Sequence, residues 1–155
     1  MANPQFLKTS FQKSAALGER AVQSDFEMTI EGIEWASPLI RTTQLPEISR
    51  GEPVEDQGAY GQTFHQYGNI KRNGLITAMI VELKDGRVEA ALWDIINNKK
   101  YVKMRIVRKG EDYKENGFEL SHCIIAVDAG DVDTTATTVA ANRNLNITYS
   151  WCEKV

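Results

Sequence analysis

Histidine, cysteine and proline are scarce in these 155 residues, and no excess of positive charge is present: two His, two Cys, four Pro, and 18 Lys and Arg against 21 Asp and Glu, a net charge of −3. Each shortage excludes something. An acidic balance argues against a protein that grips phosphate backbones. Cys123 and Cys152 have no metal-ligand spacing, and in a cytoplasmic chain they read as buried or half-buried free thiols. No apolar run approaches a membrane span, and the opening Met-Ala-Asn-Pro-Gln lacks the apolar core of a secretory leader, so assembly in a cytoplasm is expected. Gly58-Ala-Tyr-Gly61 lacks the spacing and the lysine of a phosphate-binding loop, and no Gly-x-Ser-x-Gly elbow occurs. His65 lies in a polar stretch. His122 shares the parity of Phe118, Leu120 and Ile124, which marks it as a core histidine rather than a catalyst. Asp128, Asp131 and Asp133 depart from calcium-loop spacing and lack its distal glutamate. Neither catalysis nor a cofactor is expected.

What the chain does have is alternation. Hydrophobic residues make up 42% of it, enough for one domain with a core. Leu145, Ile147, Tyr149 and Trp151 fall on one face of a closing strand, with Asn146, Thr148, Ser150 and Cys152 on the other. Phe26, Met28 and Ile30 alternate with Glu27, Thr29 and Glu31 in an opening strand over Phe26 to Ile33, and Leu39 to Leu45 reads as a second. Leu75 to Leu83 is apolar on both parities and is expected to be the most buried strand. Val88, Ala91, Leu92, Ile95 and Ile96 follow the i, i+3, i+4, i+7, i+8 pattern of one amphipathic helix. Tyr101 to Arg108 alternates Val102, Met104 and Ile106 with Lys103 and Arg105. A turn over Lys114 to Gly117 then leads to a strand from Phe118 to Val127 and a polar loop from Asp128 to Asn144.

Two segments stand outside this order. Met1 to Ser24 lacks sheet alternation and forms an N-terminal arm with a short helix expected near Ser14 to Val22; its Phe6 and Phe11 pack either on their own domain or on a neighbouring copy. Leu45 to Asn69, with Gly51, Pro53, Gly58, Gly61 and Gly68, reads as a flexible excursion. Its length calls for a purpose, and its Tyr60, Phe64 and Tyr67 for a partner surface. Its acids Glu47, Glu52, Glu55 and Asp56 contrast with Lys99, Lys100, Lys103, Arg105, Arg108 and Lys109, a run without a single acid. That run is either a solvated strand face or a surface complementary to the acidic loop of another subunit. Aromatic residues do not interleave with it, which weighs against nucleic-acid binding.

The opening strand Asp25-Phe-Glu-Met-Thr-Ile-Glu-Gly32, the Leu45-Pro46 junction into a long loop, the strand Leu75 to Leu83, the helix around Ala90 to Asn97 and the closing strand Leu145 to Trp151 together resemble the tail tube proteins of contractile-tailed bacteriophages. They are similar, too, to the related tubes of type VI secretion and other contractile injection systems. The resemblance implies a mainly β fold, a small β-barrel or sandwich over 25–155 with one flanking amphipathic helix, a long inter-strand loop and an extended arm over 1–24. It also implies homo-hexameric rings stacked into a hollow tube around a tape measure protein. The tube would lie within a tail sheath protein and between a baseplate and a tail terminator, and DNA would pass through it without specific binding. The setting would be a virion tail assembled in the host cytoplasm, or a secretion or bacteriocin-type injection system.

On that implication the inter-ring loop contains Glu47, Arg50, Glu52, Glu55, Asp56, Tyr60, Phe64 and Tyr67. Parity offers Glu27, Thr29, Glu31, Asn146, Thr148 and Ser150 as a lumen face, and Lys103, Arg105 and Lys109 as a basic assembly or outer face. A monomeric β-sandwich that binds a ligand through Tyr60, Phe64 and Tyr67 is the alternative from a different class.

Overall fold

The computed structural model describes residues 3–110 and 116–155. Among the described residues nine strands and two α-helices follow in the order α1 (Pro4–Ala16), β1 (Glu27–Ile30), β2 (Ile40–Thr43), β3 (Val54–Gln57), β4 (Thr63–Gln66), β5 (Gly74–Val81), α2 (Arg87–Asn97), β6 (Val102–Arg108), β7 (Asn116–Val127), β8 (Asn142–Tyr149) and β9 (Trp151–Lys154). The fold is mainly β, as the alternation required. Seven strands form one antiparallel sheet in the order β1-β6-β7-β8-β5-β2, with β9 continuing β8 along β7, while β3 and β4 form a separate pair. Of the two forms expected, barrel or sandwich, the open one is found: β1 and β2 remain unjoined edges, with a cleft between them lined by Met28, Ile40 and Ile106.

The long strand β7 belongs to both halves of the sheet. Its first part pairs with β6 and β9, and its second part, Ile124 to Val127, pairs with β8. The core lies between the halves and takes the inward parity of each strand: Met28 and Ile30, Ile76 and Ile80, Met104 and Ile106, Leu120, Leu145 and Ile147. The helix α2 closes it with Val88, Leu92 and Ile95, the centre of the stripe the 3.6-residue period predicts; of the other two stripe positions Ala91 is half-buried and Ile96 is exposed. Among the described residues no charged side chain is buried.

Several expectations are corrected, each for a local reason. The arm's helix lies earlier than Ser14 to Val22: the Asn3 side chain accepts from the Gln5 N–H at 3.0 Å, Pro4 occupies the first turn, and Gly18, at φ +90°, stops the helix. None of its residues is buried. The excursion from Leu45 to Asn69 is a hairpin rather than an irregular segment. The strand β5 is buried mainly on one parity: Ile76, Ala78 and Ile80 face the core and Val81 is buried at the strand's end, while Leu75 is 62% exposed on a face the single chain leaves uncovered.

His122 is exposed, not a core residue. One extra residue enters β7 between Leu120, opposite Met104, and Cys123, opposite Val102, and His122 takes φ +56° at that bulge. Parity therefore inverts, placing Cys123 and Ile125 inside and Ile124 outside. The closing strand breaks at the same level. Ser150 separates β8 from β9, so Cys152 is buried and Trp151 is exposed, the reverse of their expected faces. The turn expected over Lys114 to Gly117 begins outside the described residues, and Asn116 and Gly117 already belong to β7.

Candidate assembly surfaces

The hairpin is a paired projection held at its root. Its strands pair Val54 with Gln66 through Gln57 with Thr63, yet every residue of β3 and β4 is exposed. With no face to bury, the pair needs a firm root, since an isolated two-stranded hairpin is marginally stable at best. The root is a clasp. Arg50 and Ile70 form an antiparallel bridge, the Lys71 N–H donates to the Ser49 carbonyl at 3.3 Å, and Arg50 Nη1 donates to the Gly68 carbonyl at 3.1 Å while its guanidinium lies 5.7 Å from the Tyr67 ring centre. Gly68 is required there, because a Cβ would strike the carbonyls of Gly51 and Glu52.

Lys71 Nζ reaches Glu47 Oε2 at 3.1 Å, and Ser49 Oγ donates to Glu47 Oε1 at 2.9 Å. These contacts, Ser49 first and then Lys71, hold the Glu47 carboxyl below its ordinary pKa. The backbone of Glu47 also hydrogen-bonds Tyr149, whose ring is 1% exposed, so the root is tied to the core. Burial pushes the Tyr149 phenol above its ordinary pKa.

The distal part carries the rest of the sequence-derived loop set. Glu52, Glu55 and Asp56 are exposed, as are Tyr60, Phe64 and Tyr67 at 101%, 62% and 86%. A tight turn, with the Gly58 N–H donating to the Gln62 carbonyl at 2.7 Å, presents Tyr60 in the left-handed region at φ +63°. A non-glycine residue there is uncommon and marks a position held against local preference.

Part of the candidate lumen set shares a face with the basic set. Glu27, Thr29 and Glu31 share one face of the β1–β6–β7 half with Lys103, Arg105 and Lys109. Thr29 lies opposite Arg105 and Arg105 opposite Glu119, Lys109 Nζ binds Glu27 Oε2 at 2.8 Å, and the Glu31 carboxylate accepts from the Lys103 N–H at 3.1 Å. Asn146 and Thr148 lie on the other half. Their cross-strand rows read Thr77–Asn146–Ala126 and Leu75–Thr148–Ile124, flanked by Met79 beside Asn144, and at the margin Asn146 Nδ2 donates to the Asp128 carboxylate at 2.6 Å. Ser150 stands at the break, its N–H donating to the Ser121 carbonyl at 3.3 Å. One outward face is thus a mosaic of both charges, and the other is sparsely charged, with Asp128 at its margin.

Sequence reasoning missed a third surface. At the end of α2, Lys100 Nζ binds Asp94 Oδ2 at 2.7 Å, which holds the Asp94 carboxyl below its ordinary pKa, and the chain turns through Lys99 at φ +52°. Tyr101 then stacks on His122, ring centres 4.0 Å apart and 13° from parallel. Beside them lies a shallow groove with exposed Ile96, Tyr101 and Ile124. The helix stripe and the basic run were both visible, but the bulge that turns Ile124 outward was not. Among the described residues no group of three or more His, Cys, Asp or Glu side chains is placed to hold a metal, and no helix is long and apolar enough to cross a membrane.

No family model matches the chain, and no curated protein matches it. Solved structures do. The chain is similar to one in the sheath-tube complex of the PVC extracellular contractile injection system in its extended state, with TM-score 0.70 and 15% identity over 92% of this chain and 96% of that one. It is similar to one in the sheath/tube terminator of that system, with TM-score 0.71 and 15% identity over 90% and 99%. A third is in the anti-feeding prophage cap, described as the tube terminating cap, with TM-score 0.70 and 14% identity over 88% and 91%. At such identities the likeness is one of fold: this chain has the fold of a contractile injection system tube component.

Proposed function

We propose that this chain is a structural subunit of a tail tube. Homo-hexameric rings of it stack into a hollow conduit inside a contractile sheath, without catalysis or a cofactor. The observation that carries this reading is the hairpin, a clasped, two-stranded projection with every strand residue exposed, which gains nothing for a monomer and suits contact between stacked rings. The unjoined edges β1 and β2 support it, because open edges are an aggregation hazard that ring closure removes. The fold shared with sheath-tube, terminator and baseplate chains supports partners of the same kind: a sheath, a terminator and a baseplate.

The sparsely charged face around Asn146 and Thr148, with Asp128 at its margin, is the better of the two lumen candidates, since a conduit that must release its cargo gains from carrying little charge. Glu27, Thr29 and Glu31, interleaved with Lys103, Arg105 and Lys109, suit contact between subunits. In a phage virion the tube would enclose a tape measure protein and pass DNA; in a secretion or bacteriocin-type system it would pass protein or nothing. The exposed Tyr60, Phe64 and Tyr67 also fit a monomeric binding module, and one variant separates the readings. Replacing residues 52–67 by a short Gly-Ser link between the clasped Gly51 and Gly68 should leave folded rings that no longer stack. Tubes of unchanged length from that variant would refute a stacking role for the hairpin.

A further inference from the structure

We propose that the groove at the end of α2 is the receiving site for the tip of the β3–β4 hairpin of a second copy of this chain. The inference rests on the tube reading and adds the residues that meet. The groove encloses about 240 Å³ and is lined by Ile95, Ile96, Lys99, Lys100, Tyr101 and Ile124. That is below the roughly 300–1,000 Å³ of metabolite sites, so it suits an inserted side chain better than a small molecule. Ile96, Tyr101 and Ile124 are 41%, 58% and 51% exposed side by side, a contiguous apolar surface that a lone subunit leaves wet.

Charge and shape choose the occupant. The hairpin carries Glu52, Glu55 and Asp56 and, at its tip, a fully exposed Tyr60 in the left-handed region. The groove carries Lys99 and Lys100; Lys100 is already paired with Asp94, while Lys99 has no carboxylate partner among the described residues. Helix α1 also exposes aromatics, Phe6 and Phe11, but it brings Lys8 and Lys13 and no acid, and would meet Lys99 and Lys100 with like charge. In the complex the Tyr60 ring fills the groove beside Tyr101, and the hairpin carboxylates face the lysines.

Crosslinking between two single variants tests this in the full chain. A Tyr60→Cys chain is mixed with an Ile96→Cys chain and oxidised, before and after assembly is followed by electron microscopy. Both positions are exposed, and the native thiols are buried, so the background is low. A covalent dimer of the two variants that forms when stacked tubes are oxidised, and does not form when the sample is first diluted to free rings and then oxidised, is the expected result. Tubes that assemble without that dimer overturn the groove as receiving site and leave the tube reading intact. Failure of the unmodified chain to form rings or tubes at any concentration overturns the tube reading, and this inference with it. A second pair of variants keeps the test independent of crosslinking geometry. Lys99→Glu with Lys100→Glu should abolish stacking, and mixing with a chain carrying Glu55→Lys and Asp56→Lys should restore it; unaltered stacking by the first variant alone contradicts the proposal.

Discussion

Removing one carboxylate should loosen α2, the helix that closes the core and forms one wall of the groove. Glu82 lies just after β5, and its half-buried side chain caps the helix from outside the helix's own sequence. Oε1 accepts from the Leu83 N–H at 2.8 Å and the Val88 N–H at 3.2 Å, and Oε2 accepts from the Glu89 N–H at 2.8 Å. Val88 and Glu89 are in the first turn, where N–H groups have no partner within the helix, and the N-cap Gly86 has no side chain to offer. Losing a side-chain cap costs about 1 kcal/mol. Losing a negative charge from the positive end of the helix adds about 0.3–1 kcal/mol.

Glu82→Ala should therefore lose about 1.3–2 kcal/mol, with Asp85 Oδ1, 3.3 Å from the Arg87 nitrogen, left as the remaining acceptor. For a domain of this size each kcal/mol moves Tm by about 2–4 °C, so thermal unfolding followed by circular dichroism should show a drop of about 3–8 °C. Glu82→Gln keeps one oxygen acceptor and should fall between the two. An alanine variant melting within about 1 °C of the parent would refute the capping argument.

Other outcomes follow from the same structure. Gly117→Ala places a Cβ against the Ile106 carbonyl and the Val107 side chain between paired strands, and should destabilise by about 1–3 kcal/mol in denaturant titration. Ile147→Ala empties a fully buried site and should lose about 2–5 kcal/mol. Burial, with Cys152 close by, pushes the Cys123 thiol to about 12, so both native thiols should resist maleimide until the protein unfolds. Because that pKa is raised in the folded state, its contribution to stability is present below the ordinary 9.0 and is lost as pH rises toward 12, which alkaline melts will show. The Glu47 pKa is lowered instead, so the clasp at the hairpin root should contribute fully above 4.5 and weaken as pH falls below it. Faster proteolysis of the hairpin in acid, relative to the core, is the check.

Much of this fold could be read from alternation, and the exceptions share a cause. The helix stripe Val88, Leu92 and Ile95 and the parity of Val102, Met104 and Ile106 follow from burial on one face, which leaves a period in the sequence. One inserted residue at His122 and one break at Ser150 invert parity beyond them, and neither has a residue type that announces it. The hairpin was illegible for another reason: Val54 to Gln57 and Thr63 to Gln66 bury neither face, so no alternation exists to find. Its glycines marked turns correctly without showing that strands lay between them. The helix α1 could have been placed from Asn3, Pro4 and Gly18, since its ends are signalled by capping chemistry and only its scattered apolar residues are not. Among the candidate surfaces, the loop acids and aromatics were legible as residue types, while the sparsely charged face around Asn146 depends on which strands lie beside β8.

Negative-stain electron microscopy of the purified full chain across a concentration series tests the central claim most directly. A tube subunit gives rings that lengthen into hollow tubes as concentration rises. Monodisperse single subunits at every concentration would contradict it.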